Sequence, residues 1–118
     1  MEKNIILEKS YQFALKIVQL YKYLTEEKHE YILSKKLLNS GTEIGAQVKA
    51  AQESGFRDEF IRRNQNAYME GGRTEFWLQL LLEGGFLEEE KYQSTNEDCV
   101  ELKRILSSIL KTAKANQT

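Results

Sequence analysis

The sequence contains no proline, one cysteine, one histidine and no apolar run longer than a few residues. Without proline, nothing in the chain kinks or stops a helix by removing an N–H donor, so long helices are permitted throughout. A lone Cys99 excludes an internal disulfide, makes a reducing compartment the simpler setting, and is expected to serve as a small buried thiol. No stretch approaches the roughly 20 apolar residues that a membrane-spanning helix requires. The opening segment, Met1 to Glu8, is interrupted by acids and lacks the apolar region and small-residue cleavage site of a signal peptide. A cytoplasmic location is therefore expected. Neither sign of charge dominates: Lys and Arg number 17 against 18 Asp and Glu, a net charge of -1, so no global field draws in polyanions.

What the chain does have is Glu and Lys in abundance and apolar residues at helical steps. With 118 residues, 41% hydrophobic and 30% charged, it fits one domain over residues 1–118 with a core large enough to fold unaided. Four amphipathic segments are legible. The first carries Phe13, Ala14, Ile17, Val18, Leu20, Tyr21 and Leu24. A polar stretch, Thr25 to His29, interrupts it. The second carries Tyr31, Ile32, Leu33, Leu37, Leu38, Ile44 and Val48 and ends at Ser54-Gly55. The third begins near Arg57-Asp58, carries Phe60, Ile61, Ala67, Met69, Phe76, Trp77, Leu80, Leu81 and Leu82, and closes at Gly84-Gly85. The fourth follows the acidic turn Glu88-Glu89-Glu90 and runs through Tyr92, Cys99, Leu102, Ile105, Leu106, Ile109, Leu110 and Ala113, with Lys111 and Lys114 complementing its last turn. At Ser94-Thr95-Asn96 this segment reads either as exposed helix or as a break capped by Thr95 or Asn96. Short links between long helices predict an all-α, antiparallel up-down-up-down four-helix bundle.

One conflict stands out. Ser40, Gly41, Gly45 and Ala46 interrupt the second stripe, although glycine inside a helix costs roughly 1 kcal/mol relative to alanine. Two glycines four residues apart predict close approach of a neighbouring backbone, with Trp77 the suggested partner; a subunit contact or ligand groove on the same face is the alternative.

The ordered series Lys9-Ser10, Phe13-Ala14, Leu37-Leu38, Ser40-Gly41-Thr42, Ile44-Gly45-Ala46, Phe60-Ile61, Ala67, Glu70, Thr74 and Trp77-Leu78 resembles the four-helix-bundle proteins encoded in 23S rRNA intervening sequences. The resemblance spans residues 9 to 114. It implies similarity to the accessory variability proteins of diversity-generating retroelements, which form five-membered rings and bind nucleic acid beside a reverse transcriptase; most members of the family have no known molecular function. Asn39 stands where the family usually has Arg, Arg73 where it usually has Glu, Asn64 and Asn66 at places typically apolar, and Ala50 in place of a usual Glu. The paired departures suggest that Asn39 accepts a hydrogen bond from Arg73, with Glu70 as counter-ion, in a buried polar network that includes Thr74.

Catalytic patterns are poor. Glu26-x-x-His29 matches half of a di-iron bundle motif, but that chemistry needs a second such pair and two more carboxylates. No acid is placed to orient His29 in a triad. Gly71-Gly72 and Gly84-Gly85 lack the context of a phosphate loop and read as helix adjustment and helix termination. The expectation is a protein that is not an enzyme, with no cofactor, metal or small-molecule substrate and no membrane partner. It assembles with itself, in a pentamer by resemblance, through exposed aromatics such as Tyr11, Tyr23, Tyr68 or Phe86. The alternative is an RNA- or DNA-binding accessory protein using Lys35, Lys36, Lys49, Arg57, Arg62 and Arg63, although Glu43, Glu53, Asp58 and Glu59 lie among them.

Overall fold

The computed structural model describes residues 4–116 as four helices, α1 (Ile5–Glu26), α2 (Leu33–Glu53), α3 (Arg57–Glu83) and α4 (Glu89–Ala115), with no strand among them. They form a rod with extents of 50 × 24 × 21 Å. Met1, Glu2 and Lys3, on which part of the leader expectation rests, lie outside the described residues. No helix among the described residues is long and apolar enough to cross a membrane.

Several of the helix boundaries have a clear chemical cause. Asn4 caps α1, its side chain accepting from the Leu7 N–H at 3.1 Å, so the helix starts two turns before the first apolar residue of the expected stripe. The Glu30 carboxylate caps α2 from the preceding loop. It accepts from the N–H groups of Ile32, Leu33 and Ser34 at 3.1, 2.9 and 2.6 Å, and Ser34 Oγ donates back to the Glu30 carbonyl at 2.7 Å. α3 ends in a Schellman turn: Gly85 has a φ of 86° and donates to the Leu82 carbonyl while Phe86 donates to that of Leu81. α4 is continuous through Ser94-Thr95-Asn96. Thr95 is buried and its hydroxyl donates to the Lys91 carbonyl at 2.9 Å, so it satisfies itself within the helix and leaves no break to cap.

Contacts between helices fix the antiparallel order. Gly41 faces Ile17 and Gly45 faces Ser10 across α1–α2; Ser40 meets Thr74 and Gln47 meets Arg63 across α2–α3. Each of α1 and α3 packs on both α2 and α4, so α1 and α3 are diagonal. Ile17, Leu24, Leu37, Ile44, Val48, Leu78, Leu81, Leu102 and Leu106 form the fully buried centre.

The α1–α4 seam is the least packed of the four. A groove of about 760 Å³ opens along it, with Phe13 and Leu102 in its floor. Ion pairs bridge it: Lys9 to Glu101 at 3.3 Å and Lys16 to Asp98 at 2.6 Å, with Lys16 also donating to Ser94 Oγ at 2.7 Å. These are surface pairs, worth a few tenths to about 1 kcal/mol each.

Candidate functional site

The small residues of α2 serve the α1 contact. A Cβ on Gly41 would lie 2.8 Å from Ile17 Cγ1, and one on Gly45 would lie 3.3 Å from the Ser10 carbonyl oxygen. Their partner is therefore α1, and the suggested pairing of the glycines with Trp77 is corrected: Trp77 belongs to α3 and lines the other flank of α2. Ser40 is buried and bonds across to α3, while Ala46 is exposed and plays no part in packing because it falls on the outward face of α2.

That other flank carries a polar groove of about 570 Å³ between α2 and α3, lined by Lys36, Asn39, Ser40, Thr42, Glu43, Glu70, Arg73 and Trp77. Lys36, Asn39 and Glu43 recur at three and four residues along α2, and Glu70, Arg73 and Trp77 do the same along α3, so each trio forms one wall. Lys36 Nζ sits 5.3 Å from the Trp77 ring centroid, and Phe76 packs edge-on against Trp77 at 5.1 Å. Thr74 and Ser40 hydroxyls meet at 3.0 Å in the floor of the groove, both residues buried.

The expected network is only partly assembled there. Thr74 is buried and Glu70 half-buried, but Asn39 and Arg73 are exposed, with the Arg73 side chain 71% open to solvent. Among the described residues Arg73 makes no hydrogen bond to Asn39; it lies 3.8 Å from Glu70 on its own helix. Long side chains at a groove mouth keep their charges in water, so the exchange of partners inferred from the two departures does not occur. The two cations and two carboxylates of the groove balance, and the Trp77 ring is flanked by Lys36 and Phe76. His29 is distant from it, in the α1–α2 loop with a φ of 55° and its Nδ1 3.2 Å from the Tyr31 hydroxyl.

The basic set does not form one surface. Lys35 and Lys36 lie at the start of α2 and Lys49 near its end, a separation of roughly 21 Å along the helix. Lys49 pairs with Glu53 at 3.3 Å, Arg62 and Arg63 share Glu59 at 2.7 and 2.8 Å, and Arg57 donates to the Asn116 carbonyl. The two arginines hold the Glu59 carboxyl below its ordinary pKa. Among the described residues Lys35 has no such partner, and Lys36 is left to Trp77.

Of the aromatics expected at an interface, Tyr11 is 60% exposed, whereas Tyr23, Tyr68 and Phe86 pack against the core. Lysine stems and heads cover two of them: Lys91 lies 4.8 Å from the Tyr23 centroid and Lys103 5.0 Å from that of Tyr68. Besides Tyr11, the large apolar side chains more than half exposed among the described residues are Ile5, Tyr31, Ile32, Phe56, Met69 and Phe76.

A partly buried cluster sits between α3 and α4. The Lys103 stem crosses Gly71, where a Cβ would lie 2.7 Å from its Cγ, and its amine reaches Glu75 at 2.7 Å. That hydrogen bond raises the Lys103 pKa above its ordinary value against the opposing effect of burial. Cys99 donates to the Gly71 carbonyl at 3.3 Å, and burial, with Glu75 nearby, pushes its thiol up to about 12. A thiol so placed is inert at neutral pH. No group of three or more His, Cys, Asp or Glu among the described residues is arranged to hold a metal ion.

Fold and site together define an antiparallel four-helix bundle with a glycine-bearing α1–α2 seam and a tryptophan-walled polar groove on its α2–α3 face. The sequence profile of the 23S rRNA-intervening sequence proteins matches residues 2–108, and the chain belongs to that family. A solved structure of a protein of unknown function from the S23 ribosomal protein family of Bacteroides thetaiotaomicron is similar at 40% identity and a TM-score of 0.89, covering 90% of this chain and 98% of that one. No curated protein matches.

Proposed function

We propose that this protein is a non-enzymatic scaffold that assembles with itself, as a five-membered ring in the form the resemblance implies, and acts by presenting surface. The supporting observation is the set of large apolar side chains left outward on regular helices, among them Leu15, Val18, Met69, Phe76 and Leu80 at 36 to 57% exposure. Monomeric proteins seldom keep contiguous apolar stripes in water. Solution mass tests the reading: a multiple of the chain mass supports it, and a single-chain mass at every concentration removes it. A reducing, cytoplasmic setting suits the one buried thiol.

Nucleic-acid binding is the second reading, and the pairing of Lys36 with the Trp77 face beside Lys35 and Arg73 is what favours it, since cations interleaved with an aromatic face suit single strands. A ring would repeat that small patch in every copy. Binding of single-stranded RNA or DNA at low salt, with log affinity falling by about 0.7 to 0.9 per phosphate neutralised against log salt, supports it; no binding at low salt rejects it.

A further inference from the structure

Two exposed apolar stripes are unused by the fold, and they lie on diagonal helices. On α1, Tyr11, Leu15 and Val18 are 60, 43 and 36% exposed and follow one another at steps of four and three. Phe13, Ile17 and Leu20 occupy the opposite, core-facing side. On α3, Met69, Phe76 and Leu80 are 53, 57 and 40% exposed, with Thr74, Leu78 and Leu81 facing the core. Gly72 lies within this second stripe, where a Cβ would meet nothing within 4 Å. Because α1 and α3 do not touch, neither stripe can cover the other within one copy.

The stripes match in height. Gly41 touches Ile17, and its neighbour Ser40 bonds Thr74, so Ile17 and Thr74 occupy the same level of the rod. Helices α1 and α3 run in the same direction. Leu15, two residues before Ile17, therefore stands level with Gly72, two residues before Thr74. Gly72 with Met69, Arg73 and Phe76 outlines a four-residue hole of the kind that receives a knob from a facing helix.

The charges also match. Glu8 lies at the start of the α1 stripe and Lys22 at its end; Arg62 precedes the α3 stripe and Glu83 follows it. Arg62 and Arg63 share the carboxylate of Glu59, and with Arg57 and Asp58 in the same stretch the cations of that end outnumber its acids by three to two. Set side by side in parallel, the stripes bring unlike charges together at both ends. An antiparallel pairing sets Glu8 against Glu83 and Lys22 against Arg62, which is repulsive.

We propose that the α1 stripe of one copy docks on the α3 stripe of the next, Leu15 entering the hole at Gly72, so that copies associate head-to-tail with their rods parallel. The inference rests on the homo-oligomer reading and names its surfaces. Leu15 stands at the lip of the α1–α4 groove and Arg73 at that of the α2–α3 groove, so the two faces sit on opposite flanks of the rod, as a head-to-tail contact needs.

Sedimentation of the full chain tests this. Leu15→Arg and Phe76→Arg change exposed side chains, so each variant keeps its helical signal and cooperative melting, and each sediments as a single chain. Mixed in equal amounts they sediment as a two-chain species, because each retains the face the other lacks. If the wild type is a multimer but the mixture stays at single-chain mass, or if either variant alone remains a multimer, the docking is overturned and the oligomer reading stands. A wild type of single-chain mass overturns both. Should a charged variant unfold, Leu15→Cys combined with Gly72→Cys decides: oxidation gives a ladder of linked copies if the two positions meet, and no ladder overturns the proposal. Cys99 is fully buried and does not contribute.

Discussion

Thr74 donates to Ser40 across the α2–α3 seam, the two hydroxyl oxygens 3.0 Å apart and both residues buried. Thr74 Oγ1 also lies 2.8 Å from the Glu70 carbonyl. Replacing Thr74 with Val leaves Ser40 short of a partner and is expected to cost about 1–2 kcal/mol, whereas Ser40→Ala with Thr74→Val recovers part of it. A double-mutant cycle by urea denaturation reads the coupling, expected at about 1 kcal/mol; additivity would mean the contact carries no energy.

Gly41 is held at hydrogen by Ile17. Adding a methyl gains helix propensity of roughly 1 kcal/mol but forces it against a side chain with no exposure, so Gly41→Ala is expected to lose about 1–3 kcal/mol net. In an Ile17→Ala background the added methyl enters the space vacated, and Gly41→Ala becomes neutral or stabilising. Thermal melts of the four proteins check the reversal of sign. Gly41→Leu has no such space and is expected to abolish folding.

The Glu30 cap makes stability depend on pH. Burial opposes its ionisation, but the three backbone N–H donors outweigh burial and hold its pKa below the ordinary 4.5. A depressed folded-state pKa contributes stability that is present above the unfolded value and is lost as pH falls through the folded one. Below about pH 4.5 the wild type should therefore weaken progressively, while Glu30→Gln, weaker by about 1 kcal/mol at pH 7, shows a flatter profile. Denaturant midpoints at pH 7, 5 and 3 compare the two; identical slopes would remove Glu30 as a cause.

Asn64 is fully buried on α3. Its Nδ2 donates to the Phe60 carbonyl at 3.0 Å and its Oδ1 has no partner. Where the family resemblance expects an apolar side chain, Asn64→Leu removes an unsatisfied acceptor and is expected to stabilise by about 1–2 kcal/mol. A lower melting temperature for this variant would show that Oδ1 is satisfied by something the packing admits.

Much of the architecture is legible from residue spacing because apolar periodicity survives all four helices, and Ser54-Gly55 and Gly84-Gly85 punctuate them chemically. The close approach of Gly41 and Gly45 is legible too, but its partner is not: a glycine announces a near neighbour without direction, and helix rotation, set by Ile17 and Ser10, decides which. The Glu30 cap is hidden because a carboxylate two residues ahead of the helix matches no capping pattern. Whether Tyr23 or Tyr68 faces water depends on Lys91 and Lys103 from α4, contacts that no local reading contains. Asn39 and Arg73 line one groove as their pairing suggests, yet both side chains are exposed at its mouth and do not bond each other.

The lightly packed α1–α4 seam makes one edge of the rod cheaper to open than the rest. α1 meets α2 by close backbone approach and meets α4 through a more open seam crossed by exposed ion pairs, yet its Ile17 and Leu24 have no exposure at all. Added electrolyte therefore weakens only the outer latch of that edge, and the oily face behind it keeps the cover shut.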